Sequence, residues 1–149
     1  MNEEIQDILH REGMTLSNIR KRAVAFFIDE MLLSFLLIIS LGDSFFEAQT
    51  MEEMVLITNA YVFEYMAMKI IYQAFFVMQY GATLGKIAMK IRVIEISTMQ
   101  KQNVIVDLNR SIVRVLSEML FYLGFLWAAM DPARQTWHDK TAKTLVVDV

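Results

Sequence analysis

The chain of 149 residues has no cysteine and only two histidines. Without cysteine there are no disulfides, no thiol nucleophile and no thiolate ligands for a metal ion. His10 and His138 are too few for a zinc site of the usual histidine and cysteine composition, and neither accompanies a serine nucleophile motif. Among the five glycines, Gly81 and Gly85 are too sparse to form a phosphate-binding loop. We therefore expect no enzyme, no metal site and no bound cofactor.

Net charge is also small, at only -3, and does not predict nucleic-acid binding. The first 13 residues are acidic and polar rather than a basic cap on an apolar run, so we expect no cleavable signal peptide. What the chain has instead is a high content of apolar residues. Its residues are 56% hydrophobic and the mean hydropathy is +0.39, whereas soluble domains have roughly 45–50% apolar residues. This excess indicates a membrane protein, built as a single domain over residues 1–149.

Three apolar runs are long enough to be membrane helices, at residues 22–41, 54–80 and 111–130. A helix crosses the hydrocarbon core, roughly 30 Å thick, with about 20 apolar residues. The first run would then serve as its own uncleaved insertion signal. The third run stops at Asp131 and Pro132. These runs predict an all-α membrane protein, a bundle of two or three hydrophobic helices.

Basic residues are concentrated before the first run and after the second. Arg20, Lys21 and Arg22 precede the first run, whereas the connection at residues 42–53 contains acids but neither lysine nor arginine. The positive-inside rule therefore predicts a cytoplasmic N-terminus and an external connection. A third span would place the basic tail outside, against this rule. A plain third span and a re-entrant or strongly tilted third helix with a cytoplasmic tail stay open as equal alternatives.

The polar segments predict small cytosolic additions to this bundle. Within residues 1–19, Ile5, Ile8 and Leu9 are at helical spacing, which predicts an amphipathic cytosolic helix at the membrane surface. Runs rich in β-branched residues predict short strands that form a small cytosolic β element. These runs are residues 91–96, 104–106 and 144–147.

A weak internal repeat links two of these segments. Residues 81–94 align without gaps on residues 134–147, and the two segments are expected to have similar environments. The matched positions are Thr83 and Thr136, Lys90 and Lys143, and Val93 and Val146.

Six ionisable residues lie within the apolar runs, where a charge at a helix centre costs about 2.5–3.5 kcal/mol. They are Asp29, Glu30, Glu64, Lys69, Arg114 and Glu118. With a rise of about 1.5 Å per residue, Asp29, Lys69 and Glu118 all lie about 10–13 Å from the cytoplasmic side. We therefore expect these three residues to meet in one layer. Arg114 and Glu118 are four residues apart and can neutralise each other.

As ionised groups, these six residues are four acids and two bases. Two uncompensated negative charges in a low dielectric favour protonation of a carboxyl group or uptake of a cation. One polar stripe on the second helix is expected to face inward. Its members are Tyr61, Tyr65, Lys69 and Gln73. An equal alternative is that the ion pairs only hold the helices together.

Three blocks of residues carry a resemblance to a known family. They are RAVAFFID at residues 22–29, GATLGK at 81–86 followed by IRVI at 91–94, and HD at 138–139 followed by TLVV at 144–147. In this order they resemble the RDD family of bacterial membrane proteins, named for one Arg and two Asp. The resemblance covers about residues 18–147 and identifies Arg22, Asp29 and Asp139 as the family residues. Lys143, where the family usually has Gly, and the extra acid Glu30 depart from the pattern.

This resemblance implies a multi-pass protein of the bacterial inner membrane and suggests transport of an unidentified ligand or ion. Our first hypothesis is cation or proton-coupled transport, with Asp29 as the carrier, Lys69 and Glu118 as tuning partners and Arg22 as an interfacial anchor. Because three helices enclose little space, a conduction path would require a homo-oligomer. The alternative is an accessory or assembly subunit of a larger membrane complex, with its charged layer paired to other subunits. Asp139 is expected to cap a turn or to pair with Arg22, the latter only if the tail is cytoplasmic.

Overall fold

A computed structural model of the chain describes residues 2–120 and 122–149. Positions 1 and 121, which fall within the predicted segments 1–19 and 111–130, lie outside the described residues. The structure is mostly helical. Its helices are α1 Asn2–Arg11, α2 Ile19–Leu41, α3 Asp43–Glu47, α4 Met51–Ala60, α5 Val62–Tyr80, α6 Leu84–Ala88, α7 Val104–Met119, α8 Leu123–Met130 and α9 Trp137–Ala142. Its strands are β1 Ile91–Glu95 and β2 Thr144–Asp148.

Helix α2 corresponds to the first predicted membrane helix. The Asn18 side chain caps its N-terminus by accepting a hydrogen bond from the Arg20 N–H at 3.1 Å. The helix ends at Leu41, before Gly42. The φ of Gly42 is +54°, a backbone conformation that favours glycine over residues with a side chain. Its 23 residues cover about 34 Å, enough to cross a hydrocarbon core. Within residues 2–120 and 122–149, it is the one helix long and apolar enough to do so alone.

The second and third apolar runs are each broken by a bend. Helices α4 and α5 meet at 54° around Tyr61, and α7 and α8 meet at 103° between Met119 and Leu123. The predicted membrane helices at 54–80 and 111–130 are therefore each divided into two helices in the structure. Each bent pair has the length and hydropathy of a membrane span only when its two helices are taken together.

Helix α7 contains residues 104–106, for which the prediction of a strand is wrong. Asn103 precedes them and accepts a hydrogen bond from the Val104 N–H at 2.6 Å, which starts a helix. The helix buries a polar face made of Asp107, Arg110, Ser111, Arg114 and Ser117. It exposes an apolar face made of Ile105, Leu108, Ile112, Leu116 and Met119. Polar side chains inside and apolar side chains outside are expected for a helix that contacts lipid.

The two strands pair antiparallel, with Val93 opposite Val146 at the centre of the sheet. This pairing confirms the predicted strands at 91–96 and 144–147. Helix α1 covers one face of the sheet. Ile5 and Leu9 are buried in one cluster with Ile94, Ala133, Leu145 and Val147. The N-terminal segment is thus helical as predicted, and its buried apolar residues Ile5 and Leu9 pack on the sheet.

The internal repeat has a structural counterpart. In both copies a threonine occupies the N-cap position of a short helix, a lysine with left-handed backbone lies just after the helix, and a strand follows. Thr83 and Thr136 precede α6 and α9, Lys90 and Lys143 have φ of 55° and 51°, and Val93 and Val146 face each other in the sheet. Position 143, where the RDD family usually has glycine, is occupied by Lys143 in this chain. Glycine suits the position because the left-handed conformation costs a residue with a side chain about 1–2 kcal/mol.

Candidate functional site

Four charged side chains from three helices form a buried group that we name the membrane charge cluster. They are Glu30 on α2, Lys69 on α5, and Arg114 and Glu118 on α7. Lys69 Nζ lies 2.8 Å from Glu30 Oε1 and also contacts Glu118 Oε2. Arg114 Nε lies 3.2 Å from Glu118 Oε1, and its Nη2 lies 4.0 Å from Glu30 Oε1. Two acids and two bases leave this cluster without net charge.

Polar neighbours add hydrogen bonds to the cluster. The Tyr65 hydroxyl donates to Glu30 Oε2 at 3.1 Å, and Gln73 Oε1 accepts from the arginine of the cluster. Tyr65, Lys69 and Gln73 of the predicted polar stripe therefore face inward, whereas Tyr61 is exposed. Because removal of one partner from a buried ion pair costs about 3–5 kcal/mol, the cluster holds α2, α5 and α7 together.

Asp29 is also buried, but it lies in a different environment. Its Oδ1 accepts hydrogen bonds from the Tyr72 hydroxyl at 2.7 Å and the Gly85 N–H at 2.8 Å. Its Oδ2 accepts one from the Thr83 hydroxyl at 2.6 Å. The carboxylate is thus satisfied by three donors, two of which belong to the start of α6.

The prediction that Asp29, Lys69 and Glu118 meet in one layer is therefore wrong for Asp29 and correct for the other two residues. Glu30, the next residue on α2, contacts Lys69 in place of Asp29. Glu64 is exposed and has no ion pair among the residues that the structure describes, so it does not belong to the buried charges. Of the six predicted residues, four come together in one cluster.

Helix α6 approaches α2 with no space for a side chain between their backbones. A Cβ atom at Gly85 would overlap the Ala25 carbonyl oxygen and lie 2.8 Å from Asp29 Oδ1. The absence of a side chain allows the Gly85 N–H to reach the carboxylate. Glycine at this position therefore fixes the distance between the two helices.

A second group of charges, the sheet-side cluster, consists of Arg22, Arg110 and Asp139. Asp139 Oδ1 accepts from Arg110 Nε at 3.0 Å and Nη2 at 2.8 Å, and its Oδ2 contacts Arg22. The Thr136 N–H donates to Asp139 Oδ2 at 3.2 Å, so the carboxylate also caps α9. Asp139 thus has both contacts that the sequence suggested, a helix cap and Arg22. Burial raises the pKa of Asp139, but the two guanidiniums outweigh burial and hold this pKa well below its usual range.

A cavity of about 290 Å³ borders both clusters. Its polar wall contains Arg22, Asp29, Lys86, Arg110, Arg114 and His138. Its apolar wall contains Phe26, Tyr122, Phe125 and Leu126. Across residues 2–120 and 122–149, no three His, Asp or Glu side chains are grouped so as to hold a metal ion.

Two basic residues of this wall are buried without full hydrogen bonding. Lys86 Nζ and His138 Nδ1 have no partner among the described residues. Burial lowers the pKa of Lys86 well below its usual value, and the guanidiniums of Arg110 and Arg114 lower it further. Burial likewise lowers the pKa of His138 well below its usual value. Both groups can therefore be neutral where exposed counterparts carry a charge.

The family resemblance is confirmed by comparison with family models. The model of the RDD family matches residues 16–143, which is most of the chain. The chain belongs to the RDD family. The matched range includes Arg22, Asp29 and Asp139, the three residues that carry the resemblance. No curated protein and no solved structure matches the chain.

In this RDD protein, the family Arg and the second Asp contact each other, whereas the first Asp caps a separate helix. The cavity adds three bases that were not among the predicted site residues, Lys86, Arg110 and His138. Lys86 and His138 lie within the GATLGK and HD blocks that carry the family resemblance. Arg110 precedes Arg114 by four residues, a helical spacing that was available as a signal.

These bases change the charge count. Counted as ionised groups, as in the prediction, the described residues that are buried, or paired with a buried charge in the two clusters, are five acids and five bases. The acids are Asp29, Glu30, Asp107, Glu118 and Asp139, and the bases are Arg22, Lys69, Lys86, Arg110 and Arg114. The predicted excess of two negative charges is therefore wrong, because it included the exposed Glu64 and omitted the bases near the sheet.

Proposed function

We propose that this RDD protein is a multi-pass inner-membrane protein whose sheet lies on the cytoplasmic side. The chain leaves the sheet through α2 and returns to it through α5, since the Gly81 carbonyl accepts from the Val93 N–H. Arg20, Lys21 and Arg22 lie at this end, whereas the acidic connection at residues 42–53 follows the far end of α2. The positive-inside rule supports this orientation.

We infer that the bent α7–α8 pair is a re-entrant segment. Strand β2 pairs with β1, and Arg110 on α7 pairs with Asp139 on α9, so both ends of the pair are near the sheet. The bend of 103° turns α8 through slightly more than a right angle from the direction of α7, so the pair does not continue straight across the membrane. A re-entrant segment also keeps the basic tail in the cytoplasm, in agreement with the positive-inside rule.

We propose further that the protein is a proton-coupled transporter rather than an enzyme, and that Lys86 takes up and releases the proton. The observation that carries this proposal is the position of Lys86, a buried lysine on the wall of a cavity, with no hydrogen-bond acceptor among the described residues. Its lowered pKa allows proton exchange at pH values where an exposed lysine stays charged. A homo-oligomer would extend the path, since one chain encloses little space.

The membrane charge cluster favours proton coupling over the other hypotheses. Because its two acids and two bases pair with one another, it has no excess negative charge to attract a cation. For the same reason it offers no unpaired charge to the helices of another subunit. The cluster therefore does not support the pairing of its charges with another subunit.

The proposal is tested with proteoliposomes that contain a pH-sensitive dye. Gradients of Na⁺, K⁺ and inorganic phosphate are applied in turn, and the internal pH is followed. We expect at least one gradient to move protons in wild-type vesicles and Lys86→Met to abolish this movement. Lys90→Met is the matched control, because Lys90 is exposed and lies four residues away.

Two results would contradict the proposal. If wild-type vesicles behave like empty vesicles under every gradient, transport is rejected. If Lys86→Met moves protons as fast as the wild type, the role of Lys86 is rejected.

A further inference from the structure

We propose that the cavity is a lipid-binding site, in which an acyl chain of a bilayer phospholipid lies between α2 and α8. This site goes beyond the proposed function, because it gives the cavity an apolar occupant and requires no transport. Three features support it: the cavity wall presents few accessible polar groups, its mouth is continuous with the surface that contacts lipid, and its volume suits hydrocarbon.

The polar residues of the wall offer little to a polar or charged ligand. Asp29 is buried and accepts hydrogen bonds from three donors. Both terminal nitrogens of Arg22 contact oxygens of the chain itself. Lys86 Nζ, Arg110 Nη1 and His138 Nδ1 have no described partner, but they also have almost no accessible surface. A molecule held in the cavity therefore cannot bind to these three atoms.

The buried bases do not require an anion from outside the chain. Asp107 is buried beside them, and its Oδ2 has no hydrogen-bond partner among the described residues. The charge of Asp107 interacts with both Lys86 and Arg110. Together with the other buried acids it balances the bases as ionised groups, so an uncharged occupant of the cavity leaves this balance intact.

Aromatic rings give the cavity apolar surface beside the charged groups. The centre of the Phe26 ring lies 5.2 Å from Arg114 Cζ, and the Phe125 ring lies 5.1 Å from the ring of His138. The rings of Phe26 and Phe125 are themselves 5.1 Å apart and connect α2 with α8. Both rings belong to the cavity wall. An apolar chain in the cavity therefore contacts aromatic carbon on both helices.

The mouth of the cavity lies between α2 and α8. Ala23 on α2 and Ala129 on α8 line the cavity and are exposed, and their small side chains leave the space between the helices open. Phe27 on α2 is 63% exposed and Leu126 on α8 is 64% exposed, so apolar surface continues outward from the mouth. Because α2 is long and apolar enough to cross a membrane, this outer surface faces hydrocarbon. A lipid chain can thus enter from the side, within the bilayer.

The depth and the size of the cavity also fit an acyl chain. Ala23 and Phe26 lie about 6 and 10 Å along α2 from Ile19, at a rise of about 1.5 Å per residue. This is the half of α2 nearest the sheet, so the chain belongs to a phospholipid of the leaflet on that side. The volume of about 290 Å³ is about twice that of an apolar cavity of about 150 Å³ that binds benzene.

The test is photo-crosslinking of the full-length protein in nanodiscs. The bilayer contains phosphatidylcholine with a diazirine group in one acyl chain, and the labelled residues are located by mass spectrometry. We expect labels at Phe26 and Phe125 on the cavity wall. Phe27, which is exposed and adjacent to Phe26, is the reference for labelling by the surrounding lipid.

Ala129→Phe places a ring in the mouth of the cavity and is expected to remove the labels at Phe26 and Phe125 while the label at Phe27 stays. Ala23→Phe fills the mouth from α2 and is the second variant if Ala129→Phe does not fold. Ala88→Phe is the matched control, because Ala88 is exposed on α6 and is not among the described residues that line the cavity. It should be labelled like the wild type.

Loss of the two wall labels in the filled variants, but not in the control, supports an acyl chain in the cavity. The assignment is overturned if the wild type is labelled at Phe27 but at neither wall residue, or if both filled variants keep the wall labels. It is also overturned if these labels disappear when two copies share a nanodisc, because a second copy then covers the cavity. An absence of proton movement in proteoliposomes would remove the transport function and leave this site intact.

Discussion

Replacement of Asp139 by asparagine tests the sheet-side cluster most directly. Asp139→Asn keeps the size of the side chain but removes the negative charge that faces Arg22 and Arg110. Asp139 is fully buried, and the Arg110 side chain is 1% exposed, so water cannot replace the lost charge there. The Arg22 side chain is 13% exposed and can reach solvent more easily. The substitution therefore leaves one buried cation without a counter-charge.

The expected loss of unfolding free energy is about 3–5 kcal/mol, the usual cost of removing one partner from a buried ion pair. Arg22→Met should cost less, about 1–3 kcal/mol, because Asp139 keeps both hydrogen bonds from Arg110. The double variant of Asp139→Asn and Arg22→Met should be more stable than Asp139→Asn alone, since it removes one of the two like charges that face position 139. This order of stability follows from the geometry and does not depend on the absolute values.

The assay is reversible denaturation of the purified protein in detergent micelles, followed by circular dichroism. Asp148→Asn is the matched control, because Asp148 pairs with Lys21 at 3.0 Å while these side chains are 31% and 41% exposed. An exposed pair of this kind contributes at most about 1 kcal/mol. The reasoning is refuted if Asp139→Asn is no more destabilising than Asp148→Asn, or if Arg22→Met is the more destabilising of the two cluster variants.

Three further predictions concern other parts of the fold. Gly85→Ala is expected to destabilise the protein by about 2 kcal/mol or more, because the new Cβ overlaps the Ala25 carbonyl and displaces an N–H from Asp29. Alanine favours a helix by about 1 kcal/mol over glycine, so an unchanged or higher unfolding midpoint would contradict the close approach. Lys143→Gly is expected to stabilise the protein by about 1 kcal/mol, because it relieves a φ of 51°, and a lower unfolding midpoint would argue against this strain. A change from about pH 7.5 to about pH 5.5 is expected to reduce stability, because the unfolded chain protonates its histidine below about pH 6.5 while the pKa of folded His138 lies well below this value. His138→Gln should reduce this loss, and an equal loss in the variant would show that other groups cause it.

Ion pairs within the apolar runs could be predicted because unpaired charges are too costly there. Arg114 and Glu118 are four residues apart in a helix, so their contact needs no tertiary information. The choice between Asp29 and Glu30 as the partner of Lys69 could not be made in this way. Adjacent residues point about 100° apart on a helix, and the packing of α6 determines which of them faces α5 and α7.

The cavity could not be predicted because three of the bases that line it, Lys86, Arg110 and His138, lie outside the apolar runs. Lys86 and His138 are in polar segments, where the sequence gives no sign that a charge is costly. Their burial results from the packing of α6 on α2 and of α9 on α7, which are long-range contacts. Arg110 was not predicted for a different reason. The β-branched run at 104–106 favoured a strand over the helix that places Arg110 beside Arg114.

The position of β2 in the chain determines when the sheet side can assemble during synthesis. This strand pairs with β1 and, through Val147, with Leu16, yet it leaves the ribosome after all three apolar runs. Until then, Ile5 and Leu9 on α1 have no complete surface to cover. A nascent chain that stalls before residue 144 would therefore present an uncovered apolar helix to cellular quality control, even when its membrane segments are already inserted.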